Sequence, residues 1–398
     1  MKLPSPGTRN ATLEAKRTLK MARSAHAYVR GNTVKFYDWL EASPVAERLP
    51  AGPSIWICGD CHLGNLGPIS DGNGGVAIQI RDLDQTVIGN PAHDLIRLGL
   101  SLATAARGSD LPGVTTARMV EEMVDGYEQA LADRDQDTAD EPDVVRVVKR
   151  RALGRRWRHL ARERIGGEKP SIPLGKKFWA LGDDERGALR ALFADADIQT
   201  QILSLDPRDE DRTISLVDAA YWMKGCSSLG LLRYAALLEI KGAKGRADLA
   251  LVDIKEAVAP AAPSQHLNDM PNDPATRVVM GARALSPNLG DRMIAARLLD
   301  RSVFIRELAP QDLKLEVEQF SEAQAVKAAR YLAFVVGKGH ARQMDSATGA
   351  EWRKILLEHR GTAIEAPSWL WDAVVDLAGS HERGYLDHCR RYALAEQA

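Results

Sequence analysis

The sequence has few cysteines, no long apolar stretch and almost no net charge. Its 398 residues include four cysteines, too few to indicate a disulfide framework in a chain of this length. No apolar run approaches the roughly 20 residues that a membrane-spanning helix needs. The 53 basic and 54 acidic side chains leave a formal charge of −1, so the chain as a whole has no drive toward nucleic acid or anionic lipid. We therefore expect neither a membrane partner nor a nucleic-acid partner.

Other signals are also absent. The first residues, MKLPSPGTRNATLEAKR, contain no apolar core of an export signal, so we expect a cytoplasmic location. The sequence shows no internal repeat and no long low-complexity tract. A hydrophobic content of 45% and a charged content of 27% are typical of a soluble globular protein. The length predicts two or three domains.

The most informative stretch is residues 55–98. Two apolar runs, IWIC and VAIQI, flank the turn sequence ISDGNGG and predict a strand, a loop, a turn and a strand. Magnesium prefers hard oxygen ligands, so an Asp and an Asn in one loop, followed by a further Asp at a strand end, suit a magnesium–nucleotide site. The first Asp is then left to orient a hydroxyl nucleophile. The residues in question are, in order, Asp60, His62, Asn65, Asp82 and Asp84.

These motifs resemble a known group of enzymes. GDCHLGN (59–65) resembles the GDxHxxN catalytic loop of aminoglycoside-phosphotransferase-like and other protein-kinase-like enzymes, and DLDQTVIGNPAHDLIRL (82–98) is similar to the segment that follows it there. Together with RGN (30–32) and VDIKEA (252–257), the motif set resembles more closely domain-of-unknown-function family 2252, over most of the chain. The set is specific for that family and not for a substrate.

The resemblance implies a role for each matched residue. Asp60 is then the catalytic-loop aspartate, Asn65 and Asp82 are metal ligands, and Asp84 is an accessory ligand. His62 is expected to organise the loop by hydrogen bonding. The competing interpretation of these residues is ordinary turn and cap chemistry, since Asp and Asn are common in loops. Supporting residues are Lys20 and Arg30 near the phosphates or the loop, Asp94 as a helix cap or as a holder of the loop backbone, and His340 and Arg342 at the end of a helix docked on the loop.

The same loop also matches a different pattern. Cys58-Gly-Asp-Cys61-His62 has the spacing of a c-type haem attachment site or of a redox pair. A zinc site would need two further ligands, and the remaining cysteines, Cys226 and Cys389, are not in a paired motif. We expect packed thiols and no haem.

Besides residues 55–98, a later region is expected to supply the phosphate-binding half of a nucleotide site. Residues 214–258 predict a strand, a glycine-rich turn, a strand, a hairpin and a third strand that carries Lys255 near its end. A kinase small lobe has this order, with a flap and a lysine that hold the phosphates. The helix predicted over 275–286 has Met280 where a glutamate partner for the lysine is expected, so that partner stays open. The proposed nucleotide contacts are Gly225, Ser227, Ser228, Gly230 and Lys255, with Glu307 and Leu308 as a hinge to the adenine ring.

These expectations combine into an α+β fold of the two-lobed protein-kinase type with a helix-rich large lobe. Because the catalytic loop precedes the flap and the lysine, the chain is expected to be a circular permutation. The predicted units are a large-lobe catalytic portion (12–205), a β-rich nucleotide-binding lobe (206–316) and helices that complete the large lobe (317–398). The basic segment 143–177 is either one amphipathic helix or a site for an anion.

The expected function is ATP- and magnesium-dependent phosphoryl transfer to a hydroxyl of a small molecule. The preference for a small-molecule acceptor depends on fold analogy. Two alternatives stay open. One is a catalytically silent nucleotide-binding regulatory module, and the other is transfer of a nucleotidyl (AMP) group.

Overall fold

The computed structural model describes residues 4–134, 139–166, 170–205, 212–226, 228–242, 247–263, 269–314, 321–358 and 364–395. Within these ranges the helices are α1 (Arg9–Ala22), α2 (Ala25–Gly31), α3 (Thr33–Ala42), α4 (Ala92–Gly108), α5 (Gly113–Ala132), α6 (Asp143–Leu153), α7 (Trp157–Arg164), α8 (Asp183–Ala194), α9 (Ala196–Leu203), α10 (Pro274–Leu285), α11 (Pro287–Gly290), α12 (Glu322–Ala341), α13 (Ser346–Leu357) and α14 (Ser368–Ala395). The strands are β1 (Ile55–Ile57), β2 (Leu66–Ser70), β3 (Val76–Ile80), β4 (Val87–Gly89), β5 (Phe178–Trp179), β6 (Thr213–Trp222), β7 (Arg233–Lys241), β8 (Ala247–Glu256), β9 (Met293–Leu298) and β10 (Arg301–Glu307).

A six-stranded antiparallel sheet has the order β5-β6-β7-β8-β10-β9. Its register places Arg233 opposite Lys255, Lys255 opposite Phe304, and Asp253 opposite Arg306. Side chains alternate between the two faces of a strand, so these five residues lie on one face of the sheet. Intervening residues such as Tyr234 and Ile254 lie on the other face, in an apolar cluster with α8 and α9.

The helical part of the chain has its own core. Helix α4 is buried along most of its length, because small and apolar residues occupy nearly all of its positions. Helices α5 and α12 pack against each other through small residues, and an added Cβ at Gly126 would lie 2.0 Å from the main-chain oxygen of Arg330. Two short antiparallel ladders, β1 with β4 and β2 with β3, cover this core and carry the loop 59–65 between them.

The fold agrees with an α+β class, since the helices and the antiparallel sheets occupy separate stretches of sequence. One sequence prediction needs correction. Segment 143–177 is not one helix: α6 ends at Leu153, and α7 begins at Trp157. Phe178 and Trp179 form the edge strand β5 of the six-stranded sheet, and α8 packs on its apolar face through Leu189 and Phe193. In the part of the chain that the structure describes, no helix combines the length and the apolarity needed to cross a membrane.

Candidate active site

A cavity of about 660 Å³ lies where the sheet face of Lys255, the loop 59–65, the end of β3 and the turn between β6 and β7 meet. We call it the central pocket, and we call the β6–β7 turn, residues 223–232, the flap. The cavity falls within the roughly 300–1,000 Å³ of small-molecule sites. Its lining includes Asp60, Asn65, Asp82, Asp84 and Lys255. The residues that the sequence suggested from two distant segments are thus brought to one cavity.

Lys255 is the point at which the two segments meet. Its Nζ lies 3.2 Å from Asp82 Oδ1 and 3.5 Å from Asp82 Oδ2, and it also pairs with Asp84. The Lys255 side chain is 4% exposed, whereas that of Asp82 is 52% exposed to the pocket. The partner of the lysine, which the sequence left open, is therefore a pair of carboxylates.

The two aspartates are perturbed in opposite directions. Burial works against ionisation of Asp82, but the Lys255 ammonium outweighs it and the pKa of Asp82 is lowered. Burial and the charge of Asp82 together raise the pKa of Asp84. When two adjacent carboxylates share one cation, ionisation of the first repels the second negative charge. The pKa values of the two groups therefore move apart. Asp82 is therefore the ionised member of the pair.

Asp60 is held by an arginine that the sequence analysis did not single out. Arg97 of α4 donates from Nη2 and Nε to Asp60 Oδ1, at 2.8 and 3.0 Å, and it also binds the main-chain oxygen of Val29. Burial raises the pKa of Asp60, and the Arg97 guanidinium opposes that rise. His62 Nε2 lies 3.9 Å from Asp60 Oδ2, at the edge of ion-pair range. One carboxylate oxygen is thus fixed by Arg97, and the other lies near His62.

Asn65 and Asp82 are the residues that the sequence suggested as oxygen ligands of a divalent cation. The Asn65 amide nitrogen donates to the main-chain oxygen of Asp82 at 2.6 Å, so the amide oxygen is the atom available as a ligand. Asp84 Oδ1 is buried without a hydrogen-bond partner. The described residues contain no group of three or more His, Cys, Asp or Glu arranged for a metal. The set fits magnesium, which takes one or two carboxylates from protein and its other oxygens from phosphate and water, better than it fits zinc.

A buried chain of hydrogen bonds supports the loop from below. Asp94 accepts from the main-chain N–H groups of Cys58 and Gly59, at 2.7 and 3.0 Å. His340 of α12 lies 3.1 Å from Asp94 Oδ2 through Nε2 and 2.8 Å from the Tyr127 hydroxyl through Nδ1. Asp94 is not the N-cap of α4, which begins after Pro91. Arg342 is directed elsewhere, since its Nη1 lies 3.5 Å from the main-chain oxygen of Leu285.

The flap is anchored by the N-terminal helices. Lys20 Nζ donates to the main-chain oxygen of Gly225 at 2.7 Å. Gly225 and Gly230 have φ values of 98° and 108°, which only glycine adopts readily. A Cβ at Gly31 would lie 2.6 Å from Met21 Cγ and 3.0 Å from Cys226 Sγ, so α2 approaches the flap closely at this glycine.

Helix α10, on which a glutamate partner for Lys255 was expected at position 280, contributes Arg277 to the region of the pocket. Arg277 donates to the main-chain oxygens of Asp84 and Val258 at 2.9 Å, and it also binds the oxygen of Thr86. Met280 is 42% exposed, which agrees with its position away from the lysine. The helix therefore fixes the backbone of segment 84–86 and leaves Lys255 to the aspartates.

Several predicted contacts lie elsewhere. Glu307 and Leu308 do not line the central pocket, because the Leu308 N–H is bonded to Leu251 O at 2.9 Å and Glu307 O accepts from Arg292 at 2.9 Å. The hinge prediction is therefore wrong for these two backbone groups. Ser228 and Gly225 line the pocket and Gly230 does not, while Ser227 lies outside the described residues. Cys58 and Cys61 are buried free thiols.

The pocket is more basic than the sequence indicated. Among the residues that the structure describes, four aspartates line it, Asp60, Asp82, Asp84 and Asp253. Eleven basic side chains of the same described residues line it as well: Lys20, Arg23, Arg30, Arg81, Arg164, Lys177, Lys224, Arg233, Lys255, Arg306 and Lys314. Such an excess of positive charge favours an anionic ligand. The signal in the sequence was the pair Asp253 and Lys255, two charges at alternate positions of an apolar strand, which must share a face.

The fold and the pocket define a mixed helix-and-sheet protein with a basic, aspartate-containing site. The profile of the family described as "Uncharacterized protein conserved in bacteria (DUF2252)" matches residues 9–391. The chain belongs to that family, as its motifs suggested. No curated protein and no solved structure matches the chain.

Proposed function

We propose that the protein is a magnesium-dependent phosphotransferase that takes the γ-phosphoryl group of ATP. The observation that supports this most directly is the meeting of Lys255 with Asp82 in the pocket that also contains Asp60 and Asn65. Lys255 is a cation for phosphates, Asn65 and Asp82 offer oxygen ligands for a metal, and Asp60 is a carboxylate for a hydroxyl. Phosphoryl transfer needs little beyond such positioning and charge neutralisation.

Each residue has a distinct part in this proposal. Asp60, oriented through one oxygen by Arg97, accepts a hydrogen bond from the acceptor hydroxyl and takes its proton as transfer proceeds. Asn65 and Asp82 would hold magnesium, which neutralises the charge of the phosphate oxygens when bound. Lys255 and the main chain of the flap at Gly225 contact the phosphates. Asp94 and His340 act as positioning residues, because they hold the loop that presents Asp60 and Asn65.

The proposal includes a kinase-like architecture with rearranged chain order. The flap between β6 and β7, Lys255 on β8, helix α10 and then β9 and β10 follow one another in the order of a kinase small lobe. The catalytic loop precedes all of them at 59–65. Circular permutation produces this order without changing the packing. The acceptor is proposed to be a small molecule, by analogy with the aminoglycoside-type loop.

One observation favours nucleotidyl transfer as a second candidate. The sheet face beside Lys255, where a kinase covers the adenine ring, carries Arg233, Asp253 and Arg306 in place of apolar side chains. A nucleotide bound in a different orientation would place its α-phosphate at the acceptor. A silent regulatory module is the weaker alternative, since a binder has no need of Asp60.

Labelled ATP separates these candidates. The full-length protein is incubated with magnesium and ATP labelled at the α or the γ position, in parallel with Asp60→Asn and Asp82→Asn. Release or transfer of the γ label by the wild type, lost in both variants, supports the phosphotransferase. Attachment of the α label to protein or acceptor supports nucleotidyl transfer. Binding without transfer, equal in wild type and Asp60→Asn, contradicts both.

A further inference from the structure

The part of the central pocket around Asp253 carries positive charge that its own acidic groups do not neutralise. Arg233 donates to Asp253 through Nε and Nη2, at 2.9 and 2.6 Å. Arg306 Nη2 lies 3.2 Å from Asp253 Oδ2, and Lys224 Nζ lies 3.6 Å from the same atom. One carboxylate therefore faces three cations.

Arg81 adds a fourth cation and has no partner of its own. Its guanidinium makes no hydrogen bond or ion pair within the described residues, although its Nε is buried. The Arg306 guanidinium donates to the Arg81 main-chain oxygen at 3.3 Å, so the two residues are adjacent. Asp312 and Asp82 also act on Arg81, but Asp312 is already paired with Arg292, at 2.9 and 3.0 Å, and Asp82 with Lys255, at 3.2 Å.

Buried positive charge in excess of its carboxylate partners is costly, so a cluster of four cations around one carboxylate in a cavity calls for a ligand. We propose that the part of the pocket formed by Arg81, Lys224, Arg233 and Arg306 is a second anion subsite, which binds a phosphate group of the ligand distinct from the phosphates at Lys255. A phosphate monoester is a dianion with three acceptor oxygens, and planar guanidinium groups bind such oxygens in pairs. This inference rests on the proposed function only for the statement that other phosphates bind at Lys255.

The register of the sheet explains why this subsite is separate. Asp253 and Lys255 lie on one face of β8, two positions apart, and Arg306 and Phe304 lie opposite them on β10. Arg233 lies opposite Lys255 on β7, but its guanidinium is bonded to Asp253. Lys255 is neutralised by the ionised Asp82, so without a metal that end offers a phosphate no net attraction. The Asp253 end retains its excess of positive charge in the same conditions. Phosphate binding that needs no divalent cation and that depends on Arg81 therefore reports on the second subsite.

The test is a titration of the full-length protein with inorganic phosphate and with glycerol 3-phosphate, in the absence of divalent cations, with glycerol as the uncharged control. We expect saturable binding that Arg81→Gln weakens about tenfold or more. Arg190→Gln, which removes an exposed charge of α8, should change it by less than about twofold. Equal binding by wild type and Arg81→Gln, or no saturable binding by wild type, overturns the proposal.

A second comparison locates the bound phosphate. Arg30 lies over Gly64 at the flap end of the pocket. A Cβ added at Gly64 would lie 2.8 Å from the guanidinium carbon of Arg30. Arg81→Gln should weaken phosphate binding more than Arg30→Gln does, and loss of binding in Arg30→Gln with retention in Arg81→Gln would place the anion at the flap and overturn the inference. Because Arg81 is unpaired, Arg81→Gln should melt at or above the wild-type temperature. Should it fail to fold, Lys224→Gln gives the same readout, since that side chain is 32% exposed.

The source of the phosphate is decided by repeating the titration with magnesium and ATP present. If phosphate and ATP bind at the same time, the second subsite holds a phosphate group of the acceptor molecule. If they compete, the subsite holds the phosphate of ATP that lies farthest from Lys255. Both results support the subsite. The proposed function is tested separately by γ-label transfer in Asp60→Asn. Failure of that transfer assay leaves the phosphate titration, which contains neither magnesium nor ATP, fully interpretable.

Discussion

Lys255 Nζ lies 3.2 Å from Asp82 Oδ1, although 173 positions separate the two residues in the chain. The strand β8 supplies the lysine, and the turn after β3 supplies the aspartate. The lysine is buried by the sheet, while half of the aspartate side chain is exposed to the pocket. The ion pair therefore joins the sheet to the loop segment at the wall of a cavity, where a ligand can reach the carboxylate.

The first prediction concerns that lysine. Lys255→Met should lower magnesium-dependent γ-phosphoryl transfer by about 10²–10³-fold, because it removes a fixed cation from the phosphates. Label transfer from ATP to acceptor or water measures the effect. Lys354→Met is the matched control, since that lysine is on α13 and its side chain is 67% exposed. Equal activity in wild type and Lys255→Met contradicts the assignment.

The second prediction concerns the support of the catalytic loop. Asp94→Ala should lower the free energy of unfolding by about 3–5 kcal/mol, because two buried main-chain N–H groups and His340 lose their acceptor. Asp94→Asn keeps the shape and one acceptor oxygen, so its loss should be smaller. Urea denaturation followed by circular dichroism gives both values.

A positioning role also predicts a kinetic effect. In Asp94→Asn the loop that presents Asp60 loses part of its support, so kcat should fall more than KM rises. The idea is contradicted by an Asp94→Asn enzyme that is destabilised yet retains wild-type kcat, since that result would make the residue purely structural.

The third prediction tests the approach of α2 to the flap. Gly31→Ala should cost about 1–3 kcal/mol of unfolding free energy, because its Cβ would lie 2.6 Å from Met21 Cγ. Met21→Ala makes room for that methyl group. The double variant should therefore be more stable than the sum of the single effects, by a coupling energy of about 1 kcal/mol or more. Additive effects would show that the contact does not decide the stability.

Much of the candidate site could be predicted from sequence because its residues are grouped in short motifs. The loop 59–65, Asp82 and Asp94 lie within 36 positions, so local spacing alone indicated that they act together. The flap and Lys255 were indicated by strand periodicity and by glycines, since Gly225 and Gly230 need positive φ. Their juxtaposition with the loop depended on a resemblance, because no local pattern encodes a contact over 173 positions.

The rest depended on tertiary register. Arg97 looked like one more polar residue of a buried helix, and its contact with Asp60 is set by how α4 crosses the loop. Arg306 joins Asp253 because β10 pairs with β8, which the sequence does not state. The hinge prediction failed for a similar reason: Glu307 and Leu308 continue the sheet, and their main-chain groups are bonded to Arg292 and Leu251.

The last prediction concerns acid stability and His381 of α14. His381 is 1% exposed, and its Nε2 is buried without a hydrogen-bond partner. Burial, with the charges of Arg97 and Lys35, lowers the pKa of His381 to about 3, while the Leu377 carbonyl opposes this shift. The unfolded chain, in which a histidine titrates near about 6.5, therefore binds more protons than the folded chain between the two values. Stability should fall as the pH falls through that window.

At about pH 5, His381 alone should reduce the free energy of unfolding by on the order of 1–2 kcal/mol relative to neutral pH. His381→Leu removes the titrating group, so the variant should lose less stability on acidification than the wild type does. His26 and His93, whose pKa values are lowered to about 4, still titrate in both proteins. The difference between the two urea-denaturation series, measured at neutral pH and at about pH 5, isolates the His381 contribution. Parallel loss of stability in wild type and His381→Leu would show that this histidine does not remain neutral in the folded protein.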